Sequence, residues 1–325
     1  MMYVGAEGDV LQGKTLKARG AVMDMSPEAF GFLRSSIDIV DDVEALRARM
    51  TEDGYLFLPG LLNREQVIAG RKTILERAAT EGILDQEFPV ADGILKKGVN
   101  PYFRPQYTQE NSDLLRVVYD GSMIAFFDRL FGEPTRHFDY TWLRAVGPGP
   151  GTSPHCDIVY MGRGTFNLVT AWTPFGDIPL TVGGLMLLEN SHRRRDLTSD
   201  YLQQDVDSYC QNGPNATLIR EGKMHWEHWR NWRTKGADWD GAISNNPVAL
   251  RQEFGGRWLT CPEYRMGDVL LFSMATVHGS IDNQTQVLRL STDTRYQPAS
   301  EPVDERWIGD KPIAHGITAK RTKIC

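Results

Sequence analysis

Hydrophobic and polar positions divide the chain into two textures. From residue 41 the spacing is helical: Asp41-Asp42-Val43-Glu44 opens a short helix with acidic residues where the helix dipole favours them, and Gly54 closes it. The run YLFLPGLL (55–62) reads as an apolar strand ending in a Pro-Gly turn. Asn63 then starts a helix, with Gln66 as capping-box partner, that continues through REQVIAGRKTILERAATEG to Gly82. Helical spacing recurs around 112–132. Beyond that the apolar runs shorten and Gly/Pro turns separate them: RHFDYTWLRAV (136–146), HCDIVYMG, TFNLVTAWTPF, GGLMLLENSH, GDVLLFSMATVHG and QVLRLSTDTRYQP. Helices first and strands after predict a mainly β, α+β architecture, an antiparallel barrel or jelly roll buttressed by N-terminal helices. Residues 193–257 interrupt it with a polar, Trp-rich stretch. That is too long for a structureless connection, so it reads as a lid-like insertion with helix of its own. The expected organisation is an irregular lead-in (1–40), one domain (41–300) and a C-terminal tail (301–325).

Composition narrows the function classes. Of 325 residues, 41% are hydrophobic and 24% charged, as in an ordinary globular protein with ample core. The net charge of −6, with no long basic run, argues against a nucleic-acid partner. No run of about 18 apolar residues predicts a membrane span, and the N-terminal residues do not read as a signal peptide. The four cysteines, Cys156, Cys210, Cys261 and Cys325, form no C-x-x-C pair, so a reducing, cytoplasmic location with free thiols is expected.

The chemistry starts at TSPHCDIVYMG (152–162). In a strand, His155 and Asp157 share a face and Cys156 points the other way. Burying that pair is costly without a partner, and either a structural His–Asp hydrogen bond or a metal would supply one. Downstream, His278 ends an apolar strand, Asp282-Asn283-Gln284 make a turn, and a return strand carries Arg289, eleven residues past His278. Two histidines and a carboxylate form the facial set that leaves three coordination positions open on non-haem Fe(II). An arginine offers a carboxylate two parallel charge-assisted bonds and is costly to bury without an anion. The anion inferred here is the far carboxylate of an α-keto diacid whose other end chelates iron.

Several segments resemble the phytanoyl-CoA dioxygenase family of Fe(II)/2-oxoglutarate oxygenases. EDGYLFLPGLLNREQV is similar to the family's opening strand and helix, HCD to its H-x-D motif, and Trp172 in LVTAWTPF to a Trp that follows it. GGLMLLENSH is similar to its NG-x-L-x-x-x-PGSH segment, with Glu-Asn in place of Pro-Gly. GDVLLF…H-G-S…R-L-S is similar to the segment with the distal His, a Ser and the cosubstrate Arg. The resemblance covers most of residues 40–300. It implies a double-stranded β-helix (jelly-roll, cupin-like barrel) with His155, Asp157 and His278 as iron ligands, Arg289 and Ser280 on the 2-oxoglutarate carboxylates, and Trp172 walling that pocket. It further implies Fe(II), 2-oxoglutarate and O2 as cofactors and cosubstrates, with oxidation of an unactivated C–H in a small molecule and release of succinate and CO2. A carboxylate at 157, where related halogenases have a small residue, implies hydroxylation or another oxidative outcome such as desaturation. Two other readings stay open: a non-haem oxygenase that does not use 2-oxoglutarate, and an inactive barrel acting as a binding module. The resemblance names neither the substrate nor the oligomeric state.

Other segments keep two readings each. NSHRRRD (190–196) is a solvated turn or a mouth attracting an anionic substrate. In MHWEHWRNWR (224–233), Trp226, Trp229 and Trp232 form one stripe that packs a lid or lines a substrate pocket. His225 and His228 lack further ligands nearby, and Arg230 and Arg233 could meet a substrate carboxylate or phosphate. GPGPG (147–151) is a turn, because its prolines have no N–H to cradle a phosphate.

Overall fold

The computed structural model describes residue 11 and residues 13–207 and 241–315. Two sheets face each other. The smaller has the order His278–Ser280, Leu185–Leu188, Trp258–Thr260, Phe30–Phe32; its last pairing is parallel and the others antiparallel. The larger runs Tyr55–Leu58, Val269–Ser273, Val169–Pro174, Arg289–Pro298, Trp142–Val146, Tyr102–Phe103, with Thr135–His137 added beside the far half of Arg289–Pro298. All its pairings are antiparallel.

Four helices cover the outer face of the larger sheet: α1 (Val43–Asp53), α2 (Arg64–Thr80), α3 (Ser112–Tyr119) and α4 (Gly121–Phe131). Their ends follow the sequence signals. Asp42 accepts the Ala45 N–H at the start of α1, and Gly54 ends it in the left-handed region. Asn63 accepts the N–H groups of Glu65 and Gln66 at the start of α2.

Strand alternation separates three apolar layers. Leu56, Leu58, Ala171, Leu271, Leu290 and Tyr296 point outward and pack against helix residues such as Ile74, Val117 and Phe127. Tyr55, Phe57, Trp172, Leu270 and Phe272 point inward and meet Leu185, Leu187 and Leu259 of the smaller sheet. Met186, Leu188 and Trp258, on the other face of the smaller sheet, join a third cluster with Phe30, Val277 and Trp307.

Three expectations need correction. The lead-in is not loose where it is described: Lys17–Ala18 and Ala21–Val22 form a hairpin, and Phe30–Phe32 completes the smaller sheet. Burial of Leu16, Ala18 and Phe30, which pack into that third cluster, holds the segment down. The expected tail enters the core likewise, with Trp307 fully buried 4.8 Å from the Trp142 ring. The run GDVLLFSMATVHG is two strands, one in each sheet, joined by the turn at 274–277. Of the long insertion, residues 208–240 lie outside the described residues. The described remainder holds short helical turns (Arg195–Thr198, Tyr201–Gln203) and the helix Pro247–Phe254, and the barrel strand Trp258–Thr260 follows it directly. No helix among the described residues is long and apolar enough to cross a membrane.

Candidate metal centre

The two site histidines are cross-strand partners. His155 and His278 form an antiparallel bridge and exchange both backbone hydrogen bonds at 2.9 Å, which points their side chains to the same side. Their rings lie 4.1 Å apart, tilted by 55°. Asp157 arrives differently from the strand expectation. Its backbone is helical and begins the turn Ile158–Met161, so H-x-D straddles the junction between a bridge and a helical turn. That turn swings the carboxylate back beneath the rings: Asp157 Oδ1 stands 3.8 Å from His155 Nε2 and 3.6 Å from His278 Nε2. Among the described residues these three make one group whose donor atoms all lie within 4.8 Å of one another.

Each member is oriented by a second bond. His155 Nδ1 donates to the Ser153 carbonyl at 2.8 Å, and His278 Nδ1 donates to the Thr276 carbonyl at 3.0 Å. Both Nε2 lone pairs are thereby free for a metal. Asp157 Oδ2 accepts from Arg295 Nη2 at 2.9 Å and from the Thr170 hydroxyl, leaving Oδ1 toward the histidines. Burial, with the charge of His278 next, pushes the His155 imidazole down to about 3, so it is neutral at physiological pH. Burial alone would raise the Asp157 carboxyl, but Arg295, the two histidines and Thr170 together outweigh it and hold it below the usual carboxylate range. Two imidazole nitrogens and a carboxylate are the donor set that hard-to-borderline divalent iron accepts, so the residues present fit Fe(II).

The other site residues expected from the sequence lie on barrel strands. Ser280 is two positions beyond His278, and its Oγ accepts the Thr152 N–H at 2.8 Å. Arg289 is buried, and its Nη1 reaches across the barrel to the Gly183 carbonyl at 2.9 Å, at the level of Ile281 just past Ser280. Trp172 is buried among inward residues, its ring 4.6 Å from that of Tyr264. Cys156 lies in the core; its Sγ donates to the Ala275 carbonyl and burial raises its thiol far above the ordinary value. GPGPG is a turn against the distal hairpin: Gly149 pairs with Asn283, and a Cβ at Gly151 would stand 2.2 Å from the Ser280 carbonyl oxygen.

Three polar residues beside the triad were not read from the sequence: Thr170 and Arg295, which hold Asp157, and Arg144, which pairs with Asp293 at 2.9 Å. The available signal was alternation in RLSTDTRYQ, where Arg289, Ser291, Asp293 and Arg295 occupy every second position and therefore share the barrel face. NSHRRRD resolves toward structure: His192 Nε2 and Arg193 Nη2 both donate to the Thr51 carbonyl near the end of α1, and Arg194 pairs with Asp196. The Trp-rich segment 224–233, with His225 and His228, lies outside the described residues.

Residues 50–233, over half of the chain, match the family described as phytanoyl-CoA dioxygenase (PhyH). The chain belongs to the phytanoyl-CoA dioxygenase family. It is therefore an oxidoreductase of the Fe(II)/2-oxoglutarate class. The matched span stops short of Arg289 and of His278, which the fold brings to His155 and Asp157. A similar curated protein is the 1-deoxypentalenic acid 11-beta-hydroxylase of Streptomyces arenae, 25% identical over 283 residues, 81% of this chain and 83% of that protein. Among solved structures, the epimerase SnoN, in complex with Fe3+, alpha ketoglutarate and nogalamycin RO, gives a TM-score of 0.51 at 20% identity, covering 84% of this chain and 93% of that one. EctD from S. alaskensis, with 2-oxoglutarate and 5-hydroxyectoine, gives 0.51 at 16% identity over 93% of this chain and 90% of that one. These two likenesses establish the jelly-roll fold.

Proposed function

We propose that this member of the phytanoyl-CoA dioxygenase family hydroxylates an unactivated C–H of a small organic acid or secondary metabolite, consuming 2-oxoglutarate and O2 and releasing succinate and CO2. The observation that carries the reading is the convergence of His155 Nε2, His278 Nε2 and Asp157 Oδ1, with both Nδ1 atoms committed to backbone carbonyls. In this reading the three residues hold Fe(II), Arg289 and Ser280 hold the 2-oxoglutarate carboxylates, and Trp172 walls the cosubstrate. Bound Fe(II), 2-oxoglutarate and O2 supply the oxidising power. The chain's own part is to hold and exclude. Arg289 offers a buried cation to an anion, and the apolar packing of Trp172 with Tyr264 and Leu270 keeps water from that end of the barrel. The carboxylate of Asp157 occupies a position a halide would need, which favours hydroxylation over halogenation.

A small acidic substrate is supported by the likeness to the Streptomyces arenae protein, a hydroxylase of 1-deoxypentalenic acid. Free, buried Cys156 and Cys261 support a reducing, cytoplasmic setting.

The test is anaerobic titration of the metal-free protein with Fe(II) and then 2-oxoglutarate, recorded by visible absorption, for the wild type and Arg289→Ala. The expected result is a charge-transfer band that forms only with both ligands and needs far more 2-oxoglutarate in the variant. Iron binding without the band would favour an oxygenase that does not use 2-oxoglutarate; no iron binding would favour an inactive binding barrel.

A further inference from the structure

The metal carboxylate is gripped from behind. Thr170 and Arg295 sit directly opposite each other on neighbouring strands, and both side chains end on the same atom, Asp157 Oδ2. The Arg295 side chain is 3% exposed, and its guanidinium carbon lies 4.2 Å from the centre of the Trp142 ring. Its Nε and Nη1 meet no partner among the described residues, so the Asp157 bond and the Trp142 face fix its place. A carboxylate can bind a metal through one oxygen or two. With Oδ2 taken by a charge-assisted bond and a hydroxyl, only Oδ1 is left for the metal.

We propose that Arg295, aided by Thr170, is a positioning residue that keeps Asp157 a one-oxygen ligand and so reserves a coordination position for the cosubstrate. The inference rests on the Fe(II)/2-oxoglutarate reading above and deepens it. Without the clamp, the carboxylate rotates and its second oxygen takes a position that a chelating keto acid needs. Metal binding then persists while cosubstrate chelation suffers. A merely structural arginine would weaken both together or neither.

The experiment compares the wild type with Arg295→Met, Arg295→Lys and Thr170→Val, full-length and anaerobic. Fe(II) affinity is read by chelator competition and 2-oxoglutarate affinity by the charge-transfer band. For Arg295→Met the expected result is Fe(II) affinity near that of the wild type and a 2-oxoglutarate Kd raised about tenfold or more. Arg295→Lys restores most of it, and Thr170→Val gives a smaller rise in the same direction. Thr170→Val is close to isosteric, so it decides the matter if Arg295→Met fails to fold. Wild-type chelation in Arg295→Met, or in Thr170→Val where it stands alone, overturns the clamp and leaves the functional reading intact. Absence of the band in the wild type overturns the functional reading itself.

Discussion

The two faces of the strand Arg289–Pro298 differ as sharply as any two regions of the protein, although all ten residues are buried. Leu290 and Tyr296 face the helices and fill an apolar layer with Val169, Ala171 and Phe127. Arg289, Ser291, Asp293 and Arg295 face the barrel, where Asp157, Arg144 and the Gly183 carbonyl meet three of them. One face stabilises the fold by removing apolar area from water. The other costs stability, because buried charges recover their desolvation only through exact partners. A protein carries such a face when the site needs it. Substitutions on the two faces should therefore separate stability from chemistry.

The largest effect is expected at the triad. Asp157→Ala or His278→Ala should remove Fe(II) binding and abolish 2-oxoglutarate-dependent activity, read by metal analysis and succinate release, while the metal-free protein stays folded by circular dichroism. On the helix face, Leu290→Ala should cost about 2–5 kcal/mol in denaturant unfolding, with Fe(II) affinity unchanged in the folded fraction. Equal losses of stability and metal binding there would erase the distinction between the faces. Asp282 offers a third, intermediate case. Its carboxylate accepts the N–H groups of Arg19, Gly20 and Gly151, tying the N-terminal hairpin and the GPGPG turn to the barrel. Asp282→Ala leaves those donors unpaired and should cost about 1–3 kcal/mol, with little change in metal affinity. The smallest effect is expected at Arg193, which bonds the Thr51 carbonyl rather than facing the site. Arg193→Ala should shift stability by about 1 kcal/mol or less and leave KM for an acidic substrate unchanged; a large rise in KM would restore the anionic-mouth reading of that turn.

Acid should also act unevenly. His155 titrates at about 3 in the folded metal-free protein, against an ordinary value of about 6.5, so the unfolded chain binds the proton first as pH falls. The stability that neutral His155 contributes is complete above about pH 6.5 and is lost progressively down to about pH 3. Thermal melts of metal-free wild type should fall across that window, and those of His155→Phe should fall less.

What the sequence made legible was local. The ends of α1 and α2 were readable because Asp42, Asn63, Gly54 and Gly82 cap backbone groups within a few residues. The strands Tyr55–Leu58, Val169–Pro174 and Val269–Ser273 were readable because their runs are apolar, whereas the two-residue Tyr102–Phe103 was not. The segments that determined the triad geometry were not. The turn at 274–277 that moves His278 into the other sheet lies inside one apolar run, and nothing in HCD announces that Asp157 leaves the bridge for a helical turn. Arg295 was hidden because its partner, Asp157, is 138 residues away, and no periodicity encodes that distance. Phe30–Phe32 was missed because three residues pairing in parallel with Trp258–Thr260 carry no pattern of their own.

That last pairing sets a schedule for synthesis. Phe30 cannot meet Trp258, nor His155 meet His278, until the chain has reached those residues. At ribosomal speeds of 5–20 residues per second, His278 is added roughly 6–25 s after His155. The α1–α4 helices are complete long before, while the inward face of the early strands waits for the smaller sheet. Iron therefore has no assembled site until His278 has been added and has paired with His155.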